Sequence, residues 1–191
     1  GASSAIVQTQ SEETDVQLLS IQNTNFFTDF TLKSLKEYFT ESSTSLCTAL
    51  CSIFTKDPTN SLPYLDFIVK SFVNVIEHET NKDIVFNQLE LIIIQAGVHF
   101  IPFLPKIYPE LSKNLSNINC IHCCISLSFH LRNDFTEFAS NLYPSAIHLL
   151  SSEDPQFFKT TLKFISFAIL YQNQNAELFI ETLEFHLTGP K

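Results

Sequence analysis

The chain has 191 residues, of which 45% are hydrophobic and 16% charged, with 19 Phe and only 3 Gly. That supplies a real apolar core, and the scarcity of Gly argues against an all-β domain with many tight turns. A net charge of −9, with Arg132 the one arginine, excludes the clustered Lys and Arg that nucleic acid or a polybasic membrane anchor requires.

Residues 1–11 carry neither a basic nor an apolar leader region, so no signal peptide is expected. Gly1-Ala2-Ser3 resembles an expression scar. With no methionine, the chain reads as a fragment of something larger. The longest unbroken apolar run, "LIIIQAGV", is short for a membrane span, and none is expected.

From residue 12 the pattern becomes helical, in five successive units. The first, about 12–40, holds "NFFTDFTLKSL" from Asn25. The second, about 42–77, pairs "SLCTALCSIF" (Leu46, Leu50, Ile53, Phe54) with "LPYLDFIVKSF". The third, about 82–115, pairs "DIVFNQLELIII" (Phe86, Leu89, Ile92, Ile93) with "IPFLPKIYPEL". The fourth, about 117–150, opens on "NINCIHCCISLSF" (Ile121, Ile125, Phe129). The fifth, about 155–187, opens on "PQFFKTTLKFISFAI" (Phe158, Leu162, Ile165, Ile169), and 189–191 form a tail. These are apolar stripes at helical spacing.

The units repeat. "IPFLPKIYPEL" lies over "LPYLDFIVKSF" at an offset of 39, with Pro102 on Pro63, Leu104 on Leu65 and Ile107 on Ile68. A step of 35 puts Leu142-Tyr143-Pro144 under Ile107-Tyr108-Pro109, and a further 41 puts Leu183 under Leu142. This period is nearer the HEAT and armadillo class than ankyrin or tetratricopeptide repeats. The expected fold is all-α, a HEAT/armadillo-like α-solenoid of about five antiparallel helix pairs spanning 12–188. Pro102 and Pro105 are expected in the first turn of a second helix, where proline is tolerated. Pro109 lies deeper and predicts a bend or a delayed start. Asp154 is expected to cap the helix opened by Pro155, with Ser61, Asp83 and Asn175 as similar caps.

The run "QLELIIIQAGVHFIPFLPKIYPELSKNL" resembles the HEAT repeats of the target-of-rapamycin (TOR) serine/threonine kinases, in the region N-terminal to their catalytic core. That family has an apolar helix, an "ALG" step, an aromatic, then a proline-rich second helix. "SLPYLDFIVKSF" and the stretch from Leu131 to Phe185 resemble the flanking repeats, so the likeness covers about Ser61 to Leu187. It implies a curved scaffold arm that supports assembly and binds regulatory subunits such as the Raptor-like protein. It implies no catalytic or binding residue in this chain.

Five cysteines, Cys47, Cys51, Cys120, Cys123 and Cys124, are an odd number among apolar neighbours and read as reduced core thiols of a cytoplasmic protein. "CIHCC" lacks a second Cys/His pair close in sequence, so no metal is expected there. "IEHET" around His78, and Glu137, Glu153 and Asp154, read as solvated helix ends. The Phe stripes read as core, and the Asn114-Leu115-Ser116 sequon as an unused link between helices. No nucleophile elbow or phosphate loop occurs. The expectation is therefore a non-catalytic protein-interaction scaffold with no catalytic, cofactor-binding or metal residues and no cofactor. Its partners would be a regulatory subunit or neighbouring repeats of the parent, with self-association through Phe26, Phe27, Phe30, Phe179 and Phe185 at its ends. The alternative is a fragment of an importin/exportin-type transport receptor or other HEAT adaptor, although a single Arg departs from the Asp/Arg-rich inner turns of such receptors.

Overall fold

The computed structural model describes residues 25–39, 41–171, 180, 181, 184 and 188. Among them no strand occurs, and the regular structure is helical. In chain order the helices are α1 (25–38), α2 (Thr44–Lys56), α3 (Pro58–Ser61), α4 (Leu65–His78), α5 (Asp83–Ala96), α6 (Leu104–Lys113), α7 (Ile118–Leu131), α8 (Thr136–His148) and α9 (Pro155–Tyr171).

Local chemistry sets the starts. Ser43, in extended backbone, accepts the Leu46 N–H at 3.2 Å and caps α2. Asn117 accepts from the N–H groups of Asn119 and Cys120 and caps α7. Asp154 accepts from Gln156 at 2.9 Å, ahead of Pro155 in the first position of α9, as its sequence predicts. Two expected caps are corrected. Ser61 sits inside α3, and its hydroxyl donates to the Asp57 carbonyl at 2.7 Å. Asp83 is the first residue of α5 rather than its cap, which is Lys82. Asn175 lies outside the described residues.

The joints within units are tight 3₁₀ turns: Leu62–Tyr64, Gly97–Phe103 and Arg132–Phe135. Pro102 lies in the second of these, not in the first turn of α6 as expected. Pro105 is in that first turn, and Pro109 lies inside α6, which runs on to Lys113. The delayed start thus falls at Leu104, ahead of Pro109. Pro105 and Pro109 are both exposed, so water can satisfy the Pro105 carbonyl that Pro109 leaves without its helical donor.

Two backbone positions stand apart. Gly97 closes α5 at φ 51, ψ −129, and Arg132 closes α7 at φ 48, ψ −114. The same turn recurs 35 residues later with a side chain where glycine fits freely.

The helices fall into two rows. α2 packs on α5, α5 on α7 and α7 on α9; α4 packs on α6, and α6 on α8. Hydrogen bonds fix the register. Asn117 Nδ2 donates to Asp83 Oδ1 (2.7 Å), the Cys123 thiol to the Phe86 carbonyl (3.2 Å) and the Ser126 hydroxyl to Glu90 Oε1 (2.8 Å). These partners are 34, 37 and 36 residues apart, a nearly constant separation along the helix. Only parallel helices keep such a separation, so α5 and α7 run side by side in the same direction. Gln88 joins α5 to Thr48 of α2 at a separation of 40, and Asp66 of α4 pairs with Lys106 of α6 at the same separation. Asn60 and Tyr64 each reach back 35 residues to Asn25 and Asp29 of α1.

The core runs between the rows. Phe54, Phe72, Phe86, Phe100, Phe135 and Phe164 are fully buried. Each contributes on the order of 1.5–3 kcal/mol from apolar burial. Tyr143 of α8 meets Phe164 of α9 with ring centroids 5.1 Å apart, which locks the last described pair.

By length and composition alone, the continuous helical run Asp83–Lys113 could cross a membrane, although its sequence predicted no such span. Gly97 and the 3₁₀ turn divide it, and Phe86, Leu89, Ile93, Phe100, Ile107 and Leu111 are buried against neighbouring helices. A core helix pair has these properties without a membrane.

Candidate functional site

The thiols are the most concentrated reactive groups. All five are free and buried. Cys120, Cys123 and Cys124 lie on one helix, where His122 is half-buried. Cys123 donates to the Phe86 carbonyl and Cys120 to the Leu111 carbonyl, at 3.2 and 3.5 Å. Burial pushes the Cys120 and Cys123 thiols well up and raises Cys47 to about 12, with Cys51 nearby adding to the last. Neutral thiols are poor nucleophiles and poor metal ligands. Among the described residues no group of three or more Cys, His, Asp or Glu could hold a metal.

Other marked residues stay apart. His78, Glu77 and Glu79 are exposed at the end of α4, and His78 Nδ1 lies 2.8 Å from the Asn74 carbonyl. Glu137, Glu153 and Asp154 are exposed. In the sequon, Asn114 Nδ2 donates to the Glu110 carbonyl at 2.7 Å while its Oδ1 accepts from Lys82 Nζ at 3.0 Å. The Lys82 contact joins the turns before α5 and α7. These turns line an open polar cleft of about 480 Å³, with Asn81, Lys82, Asp83, Asn114, Ser116 and Asn117 on its walls.

Charge on the α4–α6 side is paired. Asp66 bridges Lys70 (2.8 Å) and Lys106, and these hydrogen bonds, Lys106 foremost, hold its carboxyl below the usual range. Lys106 also lies 5.5 Å from the centre of the Phe103 ring.

The apolar surface departs most from its sequence. Phe129, expected in the core stripe of α7, is 55% exposed. On α5, Ile84, Leu91 and Ile94 are exposed at a spacing of seven and three residues, and Val98 is exposed in the turn that follows. A helix whose period admits two apolar stripes does not reveal which will be covered; the flanking α2 and α7 cover the other one. Phe26, Phe27 and Phe30 on α1 are exposed as well, Phe26 and Phe30 stacked at 6.1 Å. Phe179 and Phe185 lie outside the described residues.

The described surface thus offers open helical faces. No known family, curated protein or solved structure matches this chain.

Proposed function

We propose that the chain is a HEAT-like α-solenoid segment acting as a non-catalytic, cytoplasmic scaffold for protein–protein contacts, part of a large TOR-type kinase. The observation that carries the solenoid is the register of its tertiary hydrogen bonds. Asp83, Phe86 and Glu90 each bond to the residue 34–37 positions onward, so one supersecondary unit stacks on the next in translation. Such an array buries a continuous core between its rows and leaves long helix faces open, which suits a binding surface better than an enclosed reaction site.

The TOR assignment rests on the resemblance over Ser61 to Leu187. Partners would be a regulatory subunit or neighbouring repeats of the parent chain. The test is to read the parent transcript past the codon for Lys191. A downstream phosphatidylinositol-kinase-like catalytic domain is the expected result. A transcript that ends after further helical repeats without a kinase removes the TOR reading and favours a transport receptor or another adaptor.

A further inference from the structure

The second-row helices α1, α4, α6 and α8 are copies of one another. "NFFTDFTLKSL" of α1 lies over "LPYLDFIVKSF" at an offset of 37, with Asp29 on Asp66, Phe30 on Phe67, Lys33 on Lys70 and Ser34 on Ser71. Continued through α6 and α8, the copies give each core position of α1 three counterparts. Those of Thr31 are Ile68, Ile107 and Leu142, all at 0% exposure, yet Thr31 is half-buried. Those of Leu35 are Phe72, Leu111 and Ala146, again at 0%, yet Leu35 is half-buried. Ile76, Leu115 and Leu150 are buried, yet their counterpart Phe39 is 50% exposed.

The first row is thinly covered at the same end. Ile53, Ile92, Leu127 and Phe164 each lie ten residues past the cap of their helix. Ile92 is one turn past Gln88, which bonds back to α2, and Leu127 one turn past Cys123, which bonds back to α5. This position therefore faces the preceding first-row helix. Ile92, Leu127 and Phe164 are at 0% exposure, whereas Ile53 of α2 is half-buried. In the later units α2 packs on α4 and α7 on α8. Among the described residues no first-row helix precedes α2, so α1 has none from its own unit. One helix in that place would cover Thr31, Leu35 and Phe39 from one side and Ile53 from the other.

The order of the units says which segment it is. In α2–α4, α5–α6 and α7–α8 the first-row helix comes first in the chain, so its place is directly ahead of α1. There Ser11 precedes Glu12, Glu13 and Asp15, a cap followed by an acidic first turn. Counted from Ser11, Leu18 and Ile21 stand seven and ten residues on. These are the places of Leu50 and Ile53 in α2 and of Leu89 and Ile92 in α5. We infer that residues 12–22, which lie outside the described residues, dock as a helix against Leu35 and Phe39 of α1 and Ile53 of α2. At helical rise the segment spans about 16 Å, enough to reach along this edge. The inference deepens the solenoid part of the proposed function and rests on it. Phe26 and Phe30 lie on the other side of α1 from Thr28 and Leu35 and stay open.

The test is hydrogen exchange of the full chain, read by mass spectrometry at neutral pH. Amides of residues 12–22 should exchange about tenfold or more slower than in an unstructured chain. Leu18→Asp with Ile21→Asp should return them to the unstructured rate. The same pair should speed exchange in residues 31–39 and leave α5 to α8 unchanged, which shows that the stack is intact. Leu35→Ala, on the other side of the contact, should also loosen residues 12–22. Exchange of residues 12–22 at the unstructured rate in the unsubstituted chain would overturn the proposal, as would protection that survives Leu18→Asp with Ile21→Asp. Protection lost in that variant with no change in residues 31–39 would place the segment elsewhere and overturn the site. Protection that falls on dilution would make a second copy the occupant and overturn it too. Each of these failures would leave the 34–37-residue register between α5 and α7 in place, and none depends on whether a kinase domain lies downstream.

Discussion

At the scale of single residues, Arg132 is where composition and geometry conflict. It adopts the conformation that Gly97 adopts one unit earlier, and a side chain there costs on the order of 1–3 kcal/mol. Arg132→Gly is therefore expected to raise stability by about 1 kcal/mol or more. Arg132→Ala, which keeps the strain, should change little. Gly97→Ala should destabilise by a comparable amount although a Cβ there meets nothing within 4 Å, because the cost lies in the backbone. Thermal unfolding of the three variants checks all of this. The sole arginine was visible in the sequence, but its φ was not, since only the alignment of two folded turns reveals it.

The thiols give a second residue-scale expectation. Cys47, Cys120 and Cys123 ionise at higher pH in the folded chain than in the unfolded one. The folded state therefore holds protons that the unfolded state releases, and stability falls as pH rises from about 9 toward the folded values. Their contribution is fully present below that window and flat through neutrality. Urea titrations between pH 7 and 11 should show the loss only on the alkaline side. A thiol reagent at pH 8 should leave the five thiols unreacted until the protein unfolds. Apolar neighbours in the sequence already marked these residues as core; the carbonyls that receive the thiol protons became known only with the fold.

At the scale of elements, Asn117 does more than a cap alone. Its Oδ1 serves two N–H groups of α7 while its Nδ2 reaches Asp83 at the start of α5. Asn117→Ala is expected to cost about 1–2 kcal/mol. Ser43→Ala, which removes one 3.2 Å bond, should cost the lower end of the capping range, roughly 0.5–1 kcal/mol. Denaturant midpoints of the two variants compare them directly. Phe86→Ala, in the centre of the α5–α7 contact, should exceed both at about 3–5 kcal/mol. The cap at Asp154 was legible because Pro155 follows it. Asn117 was not singled out, because asparagines crowd that link and only contact with Asp83 distinguishes one of them.

At the scale of the whole molecule, the exposed rings of α1 bear on self-association. Phe26, Phe27 and Phe30 are 73%, 67% and 60% exposed, a contiguous apolar surface at the edge of the described rows. The expected result is a scattering mass that rises with concentration. Phe26→Glu with Phe30→Glu should reduce it to that of a monomer, and a strictly monomeric unsubstituted chain would count against the idea. The test is separate from the docking of residues 12–22, since no substitution is shared.

The sequence by itself determined that the chain is helical, because few glycines and apolar stripes at spacings of three and four leave little else. It also determined where most helices lie, since apolar stripes mark α2, α4, α5 and α9, with stripe, cap and proline in agreement at α9. Tertiary structure decided what periodicity cannot. The 3₁₀ joint moved Pro102 out of α6, because a turn's hydrogen bonds depend on where the following helix is held. Phe129 faces outward rather than inward, because the neighbours packed on α7 decide which of its apolar side chains are covered, whereas the α5 stripe of Phe86, Leu89, Ile92 and Ile93 is buried as its spacing indicates. The translation of 34–37 residues between bonded partners belongs to the stack itself.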